Sequence, residues 1–274
     1  MNDSLLDFDG YLFDLDGTIY RGPALVPRAG EVVATLRRRG RAVAFVSNKP
    51  IQTRENYAAK LTRLGIPTGP DEVVNSSLVM ARWLSAQAPG ARVFALGEPP
   101  LLADLRRAGL TTTEDLDEIE WVVASFDRTL DYRKLNLALQ ALKRGARFVA
   151  TNPDRTCPVE GGEVFDSAGT IAALEATSGR KCEVIVGKPS AIMARTGLQM
   201  LGVRPERALF VGDRLETDVA RGRAAGMKTA LVLTGVTSRN DLAASDLKPD
   251  YVLDSVADCI SRKRGQSLFS RGQA

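Results

Sequence analysis

Strand-like and helix-like runs alternate from one end of this chain to the other, and that order restricts the fold more than any single residue does. An apolar run over 11–15 ends at Gly17, and 27–39 then carries helical spacing through Val32, Val33 and Leu36 before Gly40 stops it. A strand over 42–46 and a helix over 53–64 repeat the pattern, with Gly65 as the second stop. This βαβα order predicts a mostly parallel sheet with helices on its faces. A second series follows between about residue 80 and residue 182, with strands at 92–96, 121–125 and 147–150 and helices at 100–108, 132–143 and 170–177. The first series then resumes with strands at 183–186, 208–211, 228–233 and 251–253 and helices at 191–201 and 218–225. Roughly 100 residues are therefore expected as an insertion in a sheet built from both ends of the chain. The expected division is a core of 1–80 and 183–262, an inserted unit of 81–182, and a basic tail of 263–274. One long α/β domain is the alternative, since no linker composition marks either boundary.

Charge and residue usage remove several classes of chemistry. The 37 basic residues exceed the 33 acidic ones by four, and Arg262, Lys263, Arg264 and Arg271 at the carboxyl end account for that excess. A neutral body argues against a nucleic-acid groove. The amino terminus lacks a basic segment followed by an apolar one, and no apolar stretch approaches about 18 residues, so a cytoplasmic location without membrane contact is expected. Cys157, Cys182 and Cys259 have no zinc spacing and suit reduced thiols. The chain contains no histidine. Catalysis must therefore fall to carboxylates, lysine or a metal, because Ser-His-Asp and Cys-His arrangements and histidine-bound zinc are unavailable to it.

The polar residues that could do this chemistry stand where apolar strands end. Asp14 and Asp16, in Leu12-Phe13-Asp14-Leu15-Asp16-Gly17-Thr18, put two acids one residue apart at the end of the first strand. Their repulsion would be relieved by a divalent cation, which would also make one of them a usable nucleophile. An ordinary Asp-Gly turn with solvated acids is the competing interpretation. The similar letters Asp7-Phe8-Asp9-Gly10 have no apolar run before them and are expected to form only a turn leading into the strand. Ser47-Asn48-Lys49 ends the strand at 42–46 and offers a hydroxyl and backbone N–H groups to a phosphate oxygen. Gly187-Lys188-Pro189 places an ammonium after another strand, before a helix that Pro189 is expected to start. Gly212-Asp213 and Thr217-Asp218 follow a further strand, with Asp218 expected in the first turn of the next helix. Each group alone is also compatible with a turn or a helix cap. Together they supply what cation-assisted attack of a carboxylate on a phosphomonoester requires.

On these four ordered motifs the chain resembles the haloacid dehalogenase-like hydrolases. Asp14-Leu15-Asp16-Gly17-Thr18 is similar to the family's first motif, Ser47 to its second, Lys188 to its third, and the Gly212-Asp213 to Thr217-Asp218 run to its fourth. The long insertion, with Thr151-Asn152-Pro153-Asp154 inside it, resembles subfamily IIA, which holds NagD-like and nitrophenyl phosphatases and the arabinose-operon sugar phosphatases, and it is to these last that the chain is nearest in kind. Arg214 stands where many members carry a small or polar residue.

The resemblance implies an α/β fold, a Rossmann-like parallel core with an inserted α/β cap of the C2 type. It implies a Mg²⁺-dependent phosphatase of a small phosphorylated metabolite, a sugar or polyol phosphate in the first instance. Phosphoglycolate, glycerol phosphate or a nucleotide are the alternatives within the family, and a noncatalytic regulatory protein is the alternative outside it. By the same resemblance Asp14 is the nucleophile and Asp16 the acid and base. Mg²⁺ would be held by Asp14, Asp213 and the carbonyl of Asp16, and phosphate by Ser47, Asn48 and Lys188. Thr18 and Asp218 would support these groups from behind. Asp127, Arg128, Asn152 and Asp154, which follow strands of the insertion, are candidates for reading the leaving group, and a homodimer through the cap is a family-level expectation.

Overall fold

The computed structural model describes residues 5–159 and 161–261; the basic tail at 263–274 lies outside them. The chain divides into two compact units. Within the described residues, the first takes in 5–46, Glu55–Val73 and 194–261, and the second takes in Ser47–Arg54 and Val74–Met193.

The first unit is organised by a six-stranded sheet in the order Tyr251–Leu253, Lys228–Val232, Ala208–Gly212, Gly10–Asp14, Ala42–Ser47, Val73–Asn75. Gly10–Asp14 pairs in parallel with Ala208–Gly212 on one side and with Ala42–Ser47 on the other. All five residues of that strand are buried, as a parallel sheet covered on both faces requires. Tyr11 and Phe13 alternate onto one face and stack with ring centroids 6.1 Å apart, against Phe45 from the next strand. The helix Ala29–Arg38 covers this face with Ala29, Val32, Val33 and Leu36, the i, i+3, i+4, i+7 stripe that the sequence spacing announces. Gly40 follows at φ 68°, a backbone that favours glycine, and ends it.

The second unit carries a five-stranded sheet, ordered Val184–Ile185, Arg147–Ala150, Trp121–Ala124, Arg92–Leu96, Thr111–Thr112, with every pairing parallel. The helices Tyr132–Lys143 and Ser167–Ser178 pack Ala138, Ala141, Leu142, Ile171 and Leu174 into its core. A two-stranded hairpin, Thr156–Val159 with Gly162–Phe165, stands apart from that sheet. No described helix is long and apolar enough to cross a membrane.

Three local expectations are corrected. Gly10 is the first residue of the strand, not the end of a preceding turn, because its neighbours Asp9 and Ala42 are tied across the sheet edge by the Ala42 N–H to the Asp9 carbonyl. Pro189 does not start a helix: its peptide bond to Lys188 is cis and the helix begins at Ala191. Asp218 is not in the first turn of an α-helix but inside a π-helical turn, Leu215–Val219, that leads into the short helix Ala220–Ala224. The Arg214 carbonyl accepts from both Asp218 at 3.0 Å and Val219 at 3.2 Å, and this i+5 bond makes the extra-wide turn.

Candidate active site

Parallel register builds the acidic end of the first unit. Phe13 is in register with Val211, so Asp14 and the Gly212-Asp213 pair leave adjacent strands at the same end of the sheet. Asp218 is carried to them by the π turn. The carboxylates of Asp14, Asp213 and Asp218 are all buried and offer ligand atoms within 4.8 Å of one another. Asp16, two residues after Asp14, is exposed instead. Its turn is held by the Leu15 carbonyl, which accepts from Thr18, Ile19 and Tyr20, and by the Gly17 N–H to the Tyr20 carbonyl at 2.8 Å. Thr18 is fully buried, and its hydroxyl has no hydrogen-bond partner among the described residues.

The three buried acids are not equivalent. Asp218 Oδ2 accepts from the N–H groups of Asp213 and Arg214 at 3.2 and 3.1 Å, and its Oδ1 accepts from Arg221 Nη2 at 2.8 Å. With both oxygens engaged it shapes the Asp213 turn. Asp213 is itself wrapped by a loop: its Oδ2 accepts from Val236 N–H at 2.8 Å and its carbonyl from Thr237 N–H at 3.1 Å. A side chain on Gly235 would collide with the Asp213 carboxylate, and a Cβ on Gly17 would stand 2.6 Å from Asp213 Oδ2. Thr234 Oγ1 donates to the Gly17 carbonyl at 2.6 Å and closes the ring. Backbone thus crowds a set of hard oxygen donors whose mutual repulsion a divalent cation would relieve, and these residues fit Mg²⁺.

The second unit gathers a different set. Ser47 ends the strand Ala42–Ser47 and accepts from Lys49 N–H at 3.3 Å. Asn48 is the hub: its Oδ1 accepts from the Lys188 N–H at 2.9 Å, and its Nδ2 donates to Asp154 Oδ2 at 2.5 Å. Asn152 Nδ2 donates to the same Asp154 oxygen at 3.0 Å and to Asp166 Oδ1 at 3.1 Å. Asp166 caps the helix Ser167–Ser178, and burial pushes its carboxyl above the usual carboxylate range. Asn48, Lys188, Asn152 and Asp154 are therefore brought together. Asp127 and Arg128 spend their polar atoms elsewhere: Asp127 accepts from Thr129 and from Lys134 Nζ at 2.7 Å, and Arg128 forms a two-pronged pair with Glu98 that holds the Glu98 carboxyl below its usual range.

Sequence reasoning passed over Thr234, Gly235, Val236, Arg221 and Asp166. The loop 234–237 had a usable signal, since it too follows an apolar strand with polar residues and a glycine. A single arginine in a short helix carries no such signal, because it reads as solvated.

Two family models match the chain. A model described as haloacid dehalogenase-like hydrolase covers residues 11–111, and one described as HAD-hydrolase-like covers residues 185–259. Among curated proteins, the sugar-phosphatase AraL of Bacillus subtilis is 41% identical over 91% of this chain and 91% of its own length. Among solved structures, a p-nitrophenyl phosphatase from Archaeoglobus fulgidus is 38% identical with a TM-score of 0.87, over 93% of this chain and 99% of that one. A glycerol phosphate phosphatase from Mycobacterium tuberculosis, solved in complex with magnesium, is 30% identical with a TM-score of 0.87, over 94% of this chain and 78% of that one.

Proposed function

The chain belongs to the haloacid dehalogenase-like hydrolases and is a phosphatase of small phosphorylated metabolites, and we propose that sugar or polyol phosphates are its substrates and Mg²⁺ its cation. The observation that carries the chemical part is the trio of buried carboxylates with ligand atoms within 4.8 Å of one another, two at the ends of adjacent central strands and the third in the turn Leu215–Val219. When bound there, Mg²⁺ offsets the repulsion between carboxylate and phosphate.

The chain's own residues divide the remaining work. Asp14 attacks phosphorus and takes the phosphoryl group as an aspartyl-phosphate, while the leaving alcohol departs with a proton from Asp16. Asp16 then takes a proton from the water that releases phosphate, a shuttle that needs no histidine and that its exposed position permits. Asp14, Asp213 and the carbonyl of Asp16 hold the cation, with Thr18 and Asp218 behind them. Ser47, the Asn48 N–H and Lys188 bind phosphate oxygens, and the Asn48 side chain supports this role by fixing the Lys188 backbone. Residues 81–182 serve as the C2-type cap of a core formed by 1–80 and 183–262. In that cap Asn152 and Asp154 are the foremost candidates for reading the leaving group, ahead of Asp127 and Arg128, which are committed to Lys134 and Glu98. A cytoplasmic location and a homodimer through the cap belong to the same proposal.

A panel of phosphomonoesters assayed with Mg²⁺ and with chelator tests this reading. Hydrolysis should stop in chelator and return with Mg²⁺, with sugar and polyol phosphates giving the highest kcat/KM. Full activity in chelator removes the cation, and nucleotides at the head of the ranking remove the substrate class.

A further inference from the structure

Arg221 is the bulkiest of the fully buried side chains among the described residues. Its Nη2 donates to Asp218 Oδ1 at 2.8 Å with both side chains at 0% exposure, and its guanidinium carbon lies 4.4 Å from the centre of the Phe210 ring. Removing a guanidinium from water is costly, and a lone buried arginine is sustained only by charge and hydrogen bonds around it. The charge here is that of the acidic cluster. Asp218 turns one oxygen to the backbone of Asp213 and Arg214 and the other to Arg221. Whatever cation Asp14 and Asp213 share, Asp218 already has its own.

We propose that Arg221 is a built-in counter-ion of the acidic cluster. It neutralises Asp218, holds that carboxylate in support of the Asp213 turn and out of the cation's coordination sphere, and keeps three adjacent acids folded when no divalent ion is bound. Arg221 is a positioning residue under this proposal. The proposal rests on the reading that a cation sits between Asp14 and Asp213, but its core, the coupling of Arg221 to Asp218, can be measured without one.

Thermal unfolding of the wild type, Arg221→Met and the double variant Asp218→Asn/Arg221→Met, each in chelator and in saturating Mg²⁺, tests it. In chelator, Arg221→Met should unfold well below the wild type because it strands a buried carboxylate, and the added Asp218→Asn should recover at least half of that loss. In Mg²⁺, Arg221→Met should gain more in Tm than the wild type, because the uncompensated Asp218 now adds its charge to the cation site. A residue that merely fills space over Phe210 would lower Tm equally in both conditions, and the second substitution would recover nothing. A double variant no more stable than Arg221→Met overturns the proposal, as does a wild type stabilised by Mg²⁺ beside an Arg221→Met that gains no more. Should Arg221→Met not fold in chelator, the double variant decides in the same way: folding supports the counter-ion, failure to fold overturns it. A wild type that Mg²⁺ does not stabilise refutes the cation assignment, while the chelator comparison still judges Arg221.

Discussion

Two stretches of nearly identical letters bracket one strand of this protein and have opposite fates. Asp7-Phe8-Asp9-Gly10 leads into Gly10–Asp14, and Asp14-Leu15-Asp16-Gly17 leaves it. At the first end Asp9 is half-buried and held between two guanidinium groups, with Arg41 Nη1 and Arg207 Nε each 2.9 Å from its carboxylate. At the second end Asp14 is buried and meets two further carboxylates. The hydrogen bond from Arg207 holds the Asp9 carboxyl below its usual range, so Asp9 is a plain anion with its charge already matched. Strand direction makes this difference. In a parallel sheet the amino ends of all strands share one edge and the carboxyl ends the other, so the loops that carry Asp213 and the residues 234–237 converge on Asp14 and never on Asp9. Residue type offers a chemistry; the end of the strand decides whether partners arrive to use it.

The largest effect that could break this contrast is at Asp14. Asp14→Asn should lower kcat by about a thousandfold or more while leaving the fold intact, since an amide is no nucleophile and ligates Mg²⁺ poorly. Steady-state kinetics beside a thermal melt check this, and a variant that keeps a tenth of wild-type turnover would place the chemistry elsewhere. An intermediate effect is expected in the second unit. Asp154→Ala removes an acceptor shared by Asn48 and Asn152, so kcat/KM should fall about tenfold for any phosphomonoester, as the loss of one charge-assisted hydrogen bond implies. If Asp154 also reads the leaving group, the ratio of kcat/KM for two unlike substrates should move by more than about twofold, and an unchanged ratio would confine it to support of Asn48. The smallest effect belongs to Asp9. Asp9→Asn should keep kcat/KM within about twofold, because Asp9 stands at the opposite end of the strand from Asp14 and ion pairs open to solvent contribute little. Its signature is in acid instead. A carboxyl whose folded pKa lies below 3.8 adds stability above that value and loses it as pH falls through the folded one, so the melts of wild type and Asp9→Asn should converge only below about pH 4.

The same contrast marks how far the sequence could be read. Strand ends were legible because apolar runs of β-branched and aromatic residues stop at glycine or acid, as at Leu12-Phe13-Asp14 and Phe210-Val211-Gly212-Asp213. Helices with one apolar stripe, such as Ala29–Arg38 and Tyr132–Lys143, were equally plain. The helix Ser76–Gln87 was not, because burial of Ser76, Ser77, Leu78, Val79, Met80 and Ala81 in succession leaves no polar face to set a period. Its one local sign is Asn75, whose side chain caps Leu78 N–H. In the site, the acids were legible as types at strand ends, whereas the order that gives Asp213 to a cation and sets Asp218 behind it came from the family resemblance and not from the residues themselves. That Asp218 supports and Asp213 is wrapped follows from a π turn, an i+5 hydrogen bond and the loop 234–237, none of which leaves a periodic trace.

The central claim is that Asp14, alone among these acids, forms a bond to phosphorus. Trapping the enzyme with substrate by rapid acid quench, or with beryllium fluoride as the phosphoryl mimic, and then locating the modified residue tests it most directly. The account predicts phosphate, or its mimic, on Asp14 and its absence in Asp14→Asn; a covalent label on Asp9, Ser47 or Asp213 would contradict it.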